Sequence, residues 1–227
     1  MIASGTYNAP ELHEKVLALL KTETDFNVVA SIPLGLRSTE DETIIKFLAD
    51  WVQTHENGNL RANAAHVLSQ MERFELLFEL VAALKGDVKQ AAVIQALGES
   101  SHETAFNALI GYVGINDYRL QMRSIQALQG TTDERAFDPF CHALLTGSYS
   151  VRKAAIQALT PYGNRCIAYL VQVLDHVELP SYAQKKPHMY KTVGETAKIA
   201  LEAMGTPAAL DAAAQWKPPP KKNLSSE

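Results

Sequence analysis

The sequence predicts an all-α protein, an α-solenoid of about five helical hairpins, and two observations lead to this prediction. The first is an internal repeat, in which the tetrapeptide Ile-Gln-Ala-Leu ends at Leu97, Leu128 and Leu159, at a constant interval of 31 residues. A fixed period of this size is typical of arrays built from one supersecondary unit. The second is composition, since 47% of the residues are hydrophobic but only 7% are aromatic. Small and aliphatic side chains of this kind allow helices to pack closely.

Each copy of the tetrapeptide completes an amphipathic helix. Apolar residues recur three and four positions apart over 88–97, 118–128 and 151–159, and weaker copies occupy 60–68 and 193–201. Further helical stretches lie between them, at 74–84, 103–113, 136–145 and 167–173. Each unit is therefore predicted to be a pair of helices, and stacked pairs bury a continuous core. The predicted core contains Leu68, Leu97, Leu128, Leu159 and Leu201.

The segment Val-Arg-Lys-Ala-Ala-Ile-Gln-Ala-Leu, which begins at Val151, resembles the second helix of HEAT-like repeats of the short type found in phycobilin lyases. The resemblance extends over residues 40–216 and implies a right-handed solenoid whose second helices line a concave side. It leaves two functions open. One is a protein-binding scaffold or adaptor that presents this concave surface to a partner protein. The other is an enzyme or enzyme subunit that resembles phycobilin lyases and acts in bilin attachment or removal on an acceptor protein.

The two ends of the chain differ from the repeats. Residues 1–39 are expected to form an N-terminal helical cap, with a helix over 11–21 and a segment at 26–36 that Pro33 interrupts. Residues 40–216 form the predicted repeat array. The remainder, 217–227, begins with Lys217-Pro218-Pro219-Pro220 and is expected to be a disordered tail, because successive prolines cannot continue a helix.

A row of polar side chains is the first candidate binding site. Gln95, Gln126 and Gln157 each stand two residues before a core leucine, so they are predicted to point away from the core and to align on successive second helices. The alternative is a solvated helix face whose similarity reflects shared ancestry of the repeats, since glutamine is a good helix former. The candidate partner-binding strip consists of Gln95, Arg119, Met122, Arg123, Gln126, Arg152, Lys153 and Gln157.

An insertion provides the second candidate. Leu159 and Leu201 are 42 residues apart rather than 31, so about eleven residues are inserted, around 179–190. Insertions into repeats form loops, often on the binding face. The loop contains amphipathic and cationic side chains, and the alternative is a tolerated surface insertion without function. Its candidate partner-binding residues are Tyr182, Lys185, Lys186 and Tyr190.

The sequence contains no recognisable catalytic or metal-binding motif. Cys141 and Cys166 are the only cysteines, and both are expected to be small buried side chains. Deoxyhypusine hydroxylase, a HEAT-like enzyme, binds two irons through His-Glu pairs that open second helices. The pairs here, which begin at His13, His55 and His102, fall elsewhere and at unequal spacing. We therefore expect no catalytic residue, no metal and no cofactor.

The charge balance and the first residues bear on partners and location. Lys and Arg total 21 against 25 Asp and Glu, which gives a net charge of −4 and no global field to attract nucleic acid. The N-terminal residues show no signal-peptide pattern, and no apolar run is long enough to cross a bilayer. We expect a cytoplasmic protein that binds another protein, and neither nucleic acid nor a membrane.

Replacing the leucine of the central repeat tests the predicted register. Leu128→Ala is expected to lower the free energy of unfolding by about 2–5 kcal/mol, because a large side chain is removed from a site packed by both neighbouring repeats. Urea denaturation followed by circular dichroism measures the change. A value close to zero would place Leu128 outside the core and contradict the register.

Overall fold

The computed structural model describes residues 14–16, 18, 19, 22, 40–85, 87–176 and 191–218. From residue 40 onward these form eleven α-helices and a short 3₁₀ turn at Thr160–Tyr162, and the described residues contain no strand. The predicted all-α fold class is therefore confirmed. The helices are α1 (Glu42–Thr54), α2 (Gly58–Gln70), α3 (Phe74–Ala83), α4 (Gln90–Gly98), α5 (Glu103–Val113), α6 (Tyr118–Ala127), α7 (Glu134–Thr146), α8 (Tyr149–Leu159), α9 (Asn164–Gln172), α10 (Val193–Met204) and α11 (Pro207–Gln215).

The helices alternate in chain order as the repeat predicts. The repeated pattern lies on α2, α4, α6, α8 and α10, and each of these follows a first helix, so the prediction of five helical hairpins is confirmed. Polar N-caps set several helix starts, because their side chains accept hydrogen bonds from backbone amides that lack a partner within the helix. These caps include Asp41, Asn57, Asp117, Asp133 and Ser148, while Thr192 and Glu195 form a reciprocal capping box.

The chain folds as two compact units, Met1–Leu109 and Ile110–Glu227. In the first unit Leu68 and Leu97 are fully buried. In the second, Leu159 and Leu201 are fully buried and Leu128 is 5% exposed. All five leucines that the repeat places in the core are therefore buried. Among the described helices, none combines the length and the apolar character that a membrane span requires.

A polar residue lies seven positions before each of the first two core leucines, and its side chain forms a hydrogen bond to the end of the preceding helix. In the first unit, Arg61 Nη1 donates to the carbonyl oxygens of His55 at 2.6 Å and of Glu56 at 2.8 Å. Gln90, which is 1% exposed, donates from Nε2 to the carbonyl oxygen of Val81 at 2.8 Å. These carbonyls lie at or just beyond the C-terminal end of the preceding helix, where the helix itself supplies no donor.

In the second unit, the residues seven positions before the first two core leucines make the same type of hydrogen bond. Gln121 Nε2 donates to the Val113 carbonyl oxygen at 2.8 Å. Arg152 is 2% exposed, and its guanidinium donates to the carbonyl oxygens of Leu145 and Lys191, both at 3.2 Å. The prediction that Arg152 belongs to a partner-binding strip is therefore wrong, because its side chain is buried and bonded to these two carbonyls.

The fifth hairpin replaces the side-chain bond with a backbone bond. Gly194 stands seven residues before Leu201, and its amide donates to the His176 carbonyl oxygen at 3.0 Å. A Cβ at this position would lie 1.9 Å from the Leu174 carbonyl oxygen, so only glycine permits the approach.

Some predicted features lie outside the described residues. These are the inserted loop at 179–190, almost all of the tail at 217–227, and most of the cap at 1–39. Of the helix predicted over 11–21, residues 14–16, 18 and 19 are described and are helical.

Two glutamines on α6 provide a matched test of the hydrogen bond between the helices of a hairpin. Gln121→Ala is expected to lower the free energy of unfolding by about 1–3 kcal/mol, because it leaves the Val113 carbonyl buried without its donor. Gln126→Ala, the same substitution at an exposed position of the same helix, is expected to change it by no more than about 0.5 kcal/mol. Urea denaturation measures both variants, and equal effects would contradict a structural role for Gln121.

Candidate functional site

In the second unit the second helices α6 and α8 pack against each other, and side chains at matching positions share the exposed face. Gln126 and Gln157 are both exposed, as their place in the repeat predicts. Tyr118 and Tyr149, which are also 31 residues apart, are 55% and 50% exposed. We call this surface the α6–α8 face; it consists of Tyr118, Arg119, Met122, Arg123, Gln126, Tyr149, Lys153 and Gln157.

The α6–α8 face carries positive charge. Neither α6 nor α8 contains an Asp or Glu, although acidic residues outnumber basic ones over the whole chain. Lys153 and Arg119 are exposed, and Arg123 is half-buried. Arg119 Nε donates to Tyr118 Oη at 2.9 Å, and this hydrogen bond raises the pKa of the guanidinium.

The structure brings together only some residues of the predicted strip. Arg119, Met122, Arg123 and Gln126 lie on α6, and Lys153 and Gln157 lie on the neighbouring α8. Gln129, just after α6, donates to Gln157 Oε1 at 3.4 Å and links the two helices at the surface. Gln95 lies in the first unit, Arg152 is buried, and the four loop candidates Tyr182, Lys185, Lys186 and Tyr190 lie outside the described residues.

In the first unit, Gln95 belongs to a polar cluster that joins α2 and α4. Gln95 Nε2 donates to Glu99 Oε1 at 2.8 Å. The second oxygen of Glu99, Oε2, lies 3.0 Å from His66 Nδ1, although without the alignment of a hydrogen bond. His66 Nε2 is in turn 2.6 Å from Gln70 Nε2. The sequence analysis did not single out this pair of residues.

Two depressions flank this cluster, and we call them together the α2–α4 groove. The smaller, about 240 Å³, lies over Ala62, Ala92 and Ala96, with Asn63 and Gln95 beside them. The larger, about 310 Å³, lies at the C-terminal ends of the two helices. His66, Ala96 and Glu99 border both depressions. The polar and aromatic lining of the larger one includes Gln70, Glu72, Phe74, Glu99, Ser100 and His102.

The histidines of the His-Glu pairs have local structural partners. His55 Nδ1 accepts from the Asn57 amide at 3.0 Å, and His102 Nδ1 accepts from the Thr104 amide at 3.2 Å. Both imidazoles therefore stabilise the turn that precedes a helix. Within the described part of the chain, no group of three His, Cys, Asp or Glu side chains is placed to hold a metal ion. His13 lies outside it.

Comparison with known families agrees with the fold. Residues 74–160 match the family model for HEAT repeats. The matched segment runs from α3 to the turn after α8 and contains all three copies of the repeated tetrapeptide. Residues 74–160 therefore carry HEAT-like repeats, as the resemblance predicts. A search of curated proteins finds no match to the sequence.

The two cysteines provide a test of burial. Cys141 and Cys166 are buried, and burial raises the pKa of the first thiol to about 12 and of the second to about 11. Because the thiolate is the reactive form, the folded protein is expected to resist labelling by a thiol reagent at pH 8 and to react fully once urea unfolds it. Mass spectrometry counts the adducts, and rapid labelling of the folded chain would contradict the burial of either thiol.

Proposed function

We propose that the chain is a protein-binding scaffold and that it receives a partner protein on the α6–α8 face. The observation that carries the proposal is the joint exposure, on two neighbouring second helices, of a repeated tyrosine, a repeated glutamine and cations, with no acidic residue in either helix. HEAT-like arrays use extended surfaces made of successive repeats for binding, which supports the same role here.

The side chains of this face favour one kind of partner. Arg119 and Lys153 attract carboxylates, so the partner segment is acidic. Tyr118 and Tyr149 combine an apolar ring with a hydroxyl and bury much area at little cost in side-chain entropy. Gln126 and Gln157 both donate and accept, as a peptide backbone requires.

The repeat spacing suits an extended partner segment. Packed helices lie about 8–10 Å apart, and an extended chain advances about 3.3 Å per residue. Equivalent side chains of α6 and α8 therefore meet every third residue of such a segment. The net charge of −4 for the whole chain favours a protein partner over a nucleic acid, whose backbone the chain as a whole repels.

Charge reversal on the α6–α8 face tests the proposal. The full chain, the double variant Arg119→Glu, Lys153→Glu, and the control Lys46→Glu, Lys85→Glu serve as baits for affinity capture from the native cell. Lys46 and Lys85 are exposed in the first unit, so the control makes the same change of charge elsewhere. A partner captured by the unaltered chain is expected to be lost from the first variant and retained by the control, with weaker capture at higher salt.

Folding is checked in parallel, because both variants alter only exposed positions and are expected to keep the free energy of unfolding within about 0.5 kcal/mol per site. Equal recovery of the same partner by all three baits would exclude the α6–α8 face as its binding site.

A further inference from the structure

We propose that the larger depression of the α2–α4 groove binds an organic cation, an alkylammonium or guanidinium group. This site lies wholly in the first unit and is separate from the α6–α8 face. Two carboxylates, Glu72 and Glu99, line the depression, and no Lys or Arg is among the described residues that line it. A carboxylate that faces a cation with donor N–H groups forms the stronger, charge-assisted type of hydrogen bond.

Glu99 is oriented by a hydrogen bond from Gln95, and the His66 ring lies beside it. Its Oε1 accepts from Gln95 at 2.8 Å, and its Oε2 lies 3.0 Å from His66 Nδ1. The side chain remains 47% exposed, so its oxygens have acceptor capacity left for a ligand. A carboxylate whose orientation is already set loses less entropy on binding than a mobile one.

Two aromatic rings form one side of the depression. The rings of Phe74 and His102 lie with their centroids 4.7 Å apart and their planes tilted by 33°. Phe74 is buried and supports His102, which is exposed at the depression. A planar guanidinium stacks on an exposed aromatic face, which here is the His102 ring, since Phe74 is only 4% exposed.

Glu72 occupies a position that favours glycine. It directly follows the cap of α2 and has a φ of 58°. Its amide donates to the Ser69 carbonyl oxygen, and the next amide, that of Arg73, donates to the Leu68 carbonyl oxygen, both at 3.0 Å. This left-handed helix ending disfavours a residue with a Cβ. The equivalent residue after α10, four positions beyond its core leucine, is Gly205 with a φ of 64°. A carboxylate thus stands at the rim of the depression where glycine would be more stable.

The size of the depression limits the ligand. A volume of about 310 Å³ is at the lower end for ligand sites and fits one cationic side chain or a small free amine. The same chemistry is offered by an exposed Arg or Lys of another protein and by a diamine, and the two sources are distinguished by their probes.

An NMR titration of the full chain tests the site with two probes, the tripeptide acetyl-Gly-Arg-Gly-amide and the diamine cadaverine. Saturable shifts are expected at the amides of His66, Glu99 and His102. Glu99→Gln is expected to raise the Kd at least about tenfold, since it removes the charge that pairs with the ligand. Glu79→Gln, an exposed residue of α3 that does not line the groove, is the matched control and is expected to leave the Kd unchanged.

Glu72→Gly separates binding from folding. It is expected to raise Tm by about 2–4 °C, because glycine relieves the left-handed backbone, and to weaken binding severalfold because a carboxylate is lost. Saturation by the tripeptide alone identifies a side chain of another protein as the ligand, and saturation by cadaverine identifies a free amine. Failure of both probes to saturate, or an equal Kd for the unaltered chain and Glu99→Gln, would overturn the proposal.

Discussion

The carbonyl groups at the end of each first helix have no donor within that helix, and the next helix of the hairpin packs directly over several of them. In four hairpins the second helix solves this problem with one polar side chain, at Arg61, Gln90, Gln121 and Arg152. In the fifth the chain approaches so closely that the Gly194 amide makes the bond itself. The core leucine follows seven residues later in each hairpin, and where the acceptor carbonyl is buried, as at Gln90 and Gln121, leaving it unsatisfied would oppose the packing.

The need to bond these carbonyls also decides which cationic side chains of the second helices are buried and which are exposed. Arg152 and Lys153 are adjacent in sequence, yet the first is 2% exposed and the second is exposed. One residue corresponds to a rotation of about 100° around a helix, which is enough to turn a side chain from the hairpin interior to the surface. The residues left outside, among them Lys153, Gln126 and Gln157, form the α6–α8 face. The exposure of these side chains is thus a consequence of how each hairpin is closed.

In the first unit, the candidate site includes a residue that lowers the stability of the fold. Its α2–α4 groove retains Glu72 in a backbone conformation that glycine adopts more easily, and it leaves Glu99 exposed although Gln95 orients it. The histidines His55 and His102 are used at helix starts, which accounts for the presence of His-Glu pairs in a chain whose described residues hold no metal-binding group of three. Local strain that folding does not require is a physical argument for a role in binding.

The sequence by itself determined the helical hairpins, the five core leucines and the outward direction of Gln95, Gln126 and Gln157, because a repeat with helical periodicity sets both the fold and the face of each residue. It did not reveal that Arg152 is buried, since its hydrogen-bond acceptors, Leu145 and Lys191, lie on other segments. Nor did it reveal the pairing of His66 with Glu99, or of Phe74 with His102, which join separate segments. Such contacts depend on how helices are offset against one another, and only the tertiary structure decides that offset.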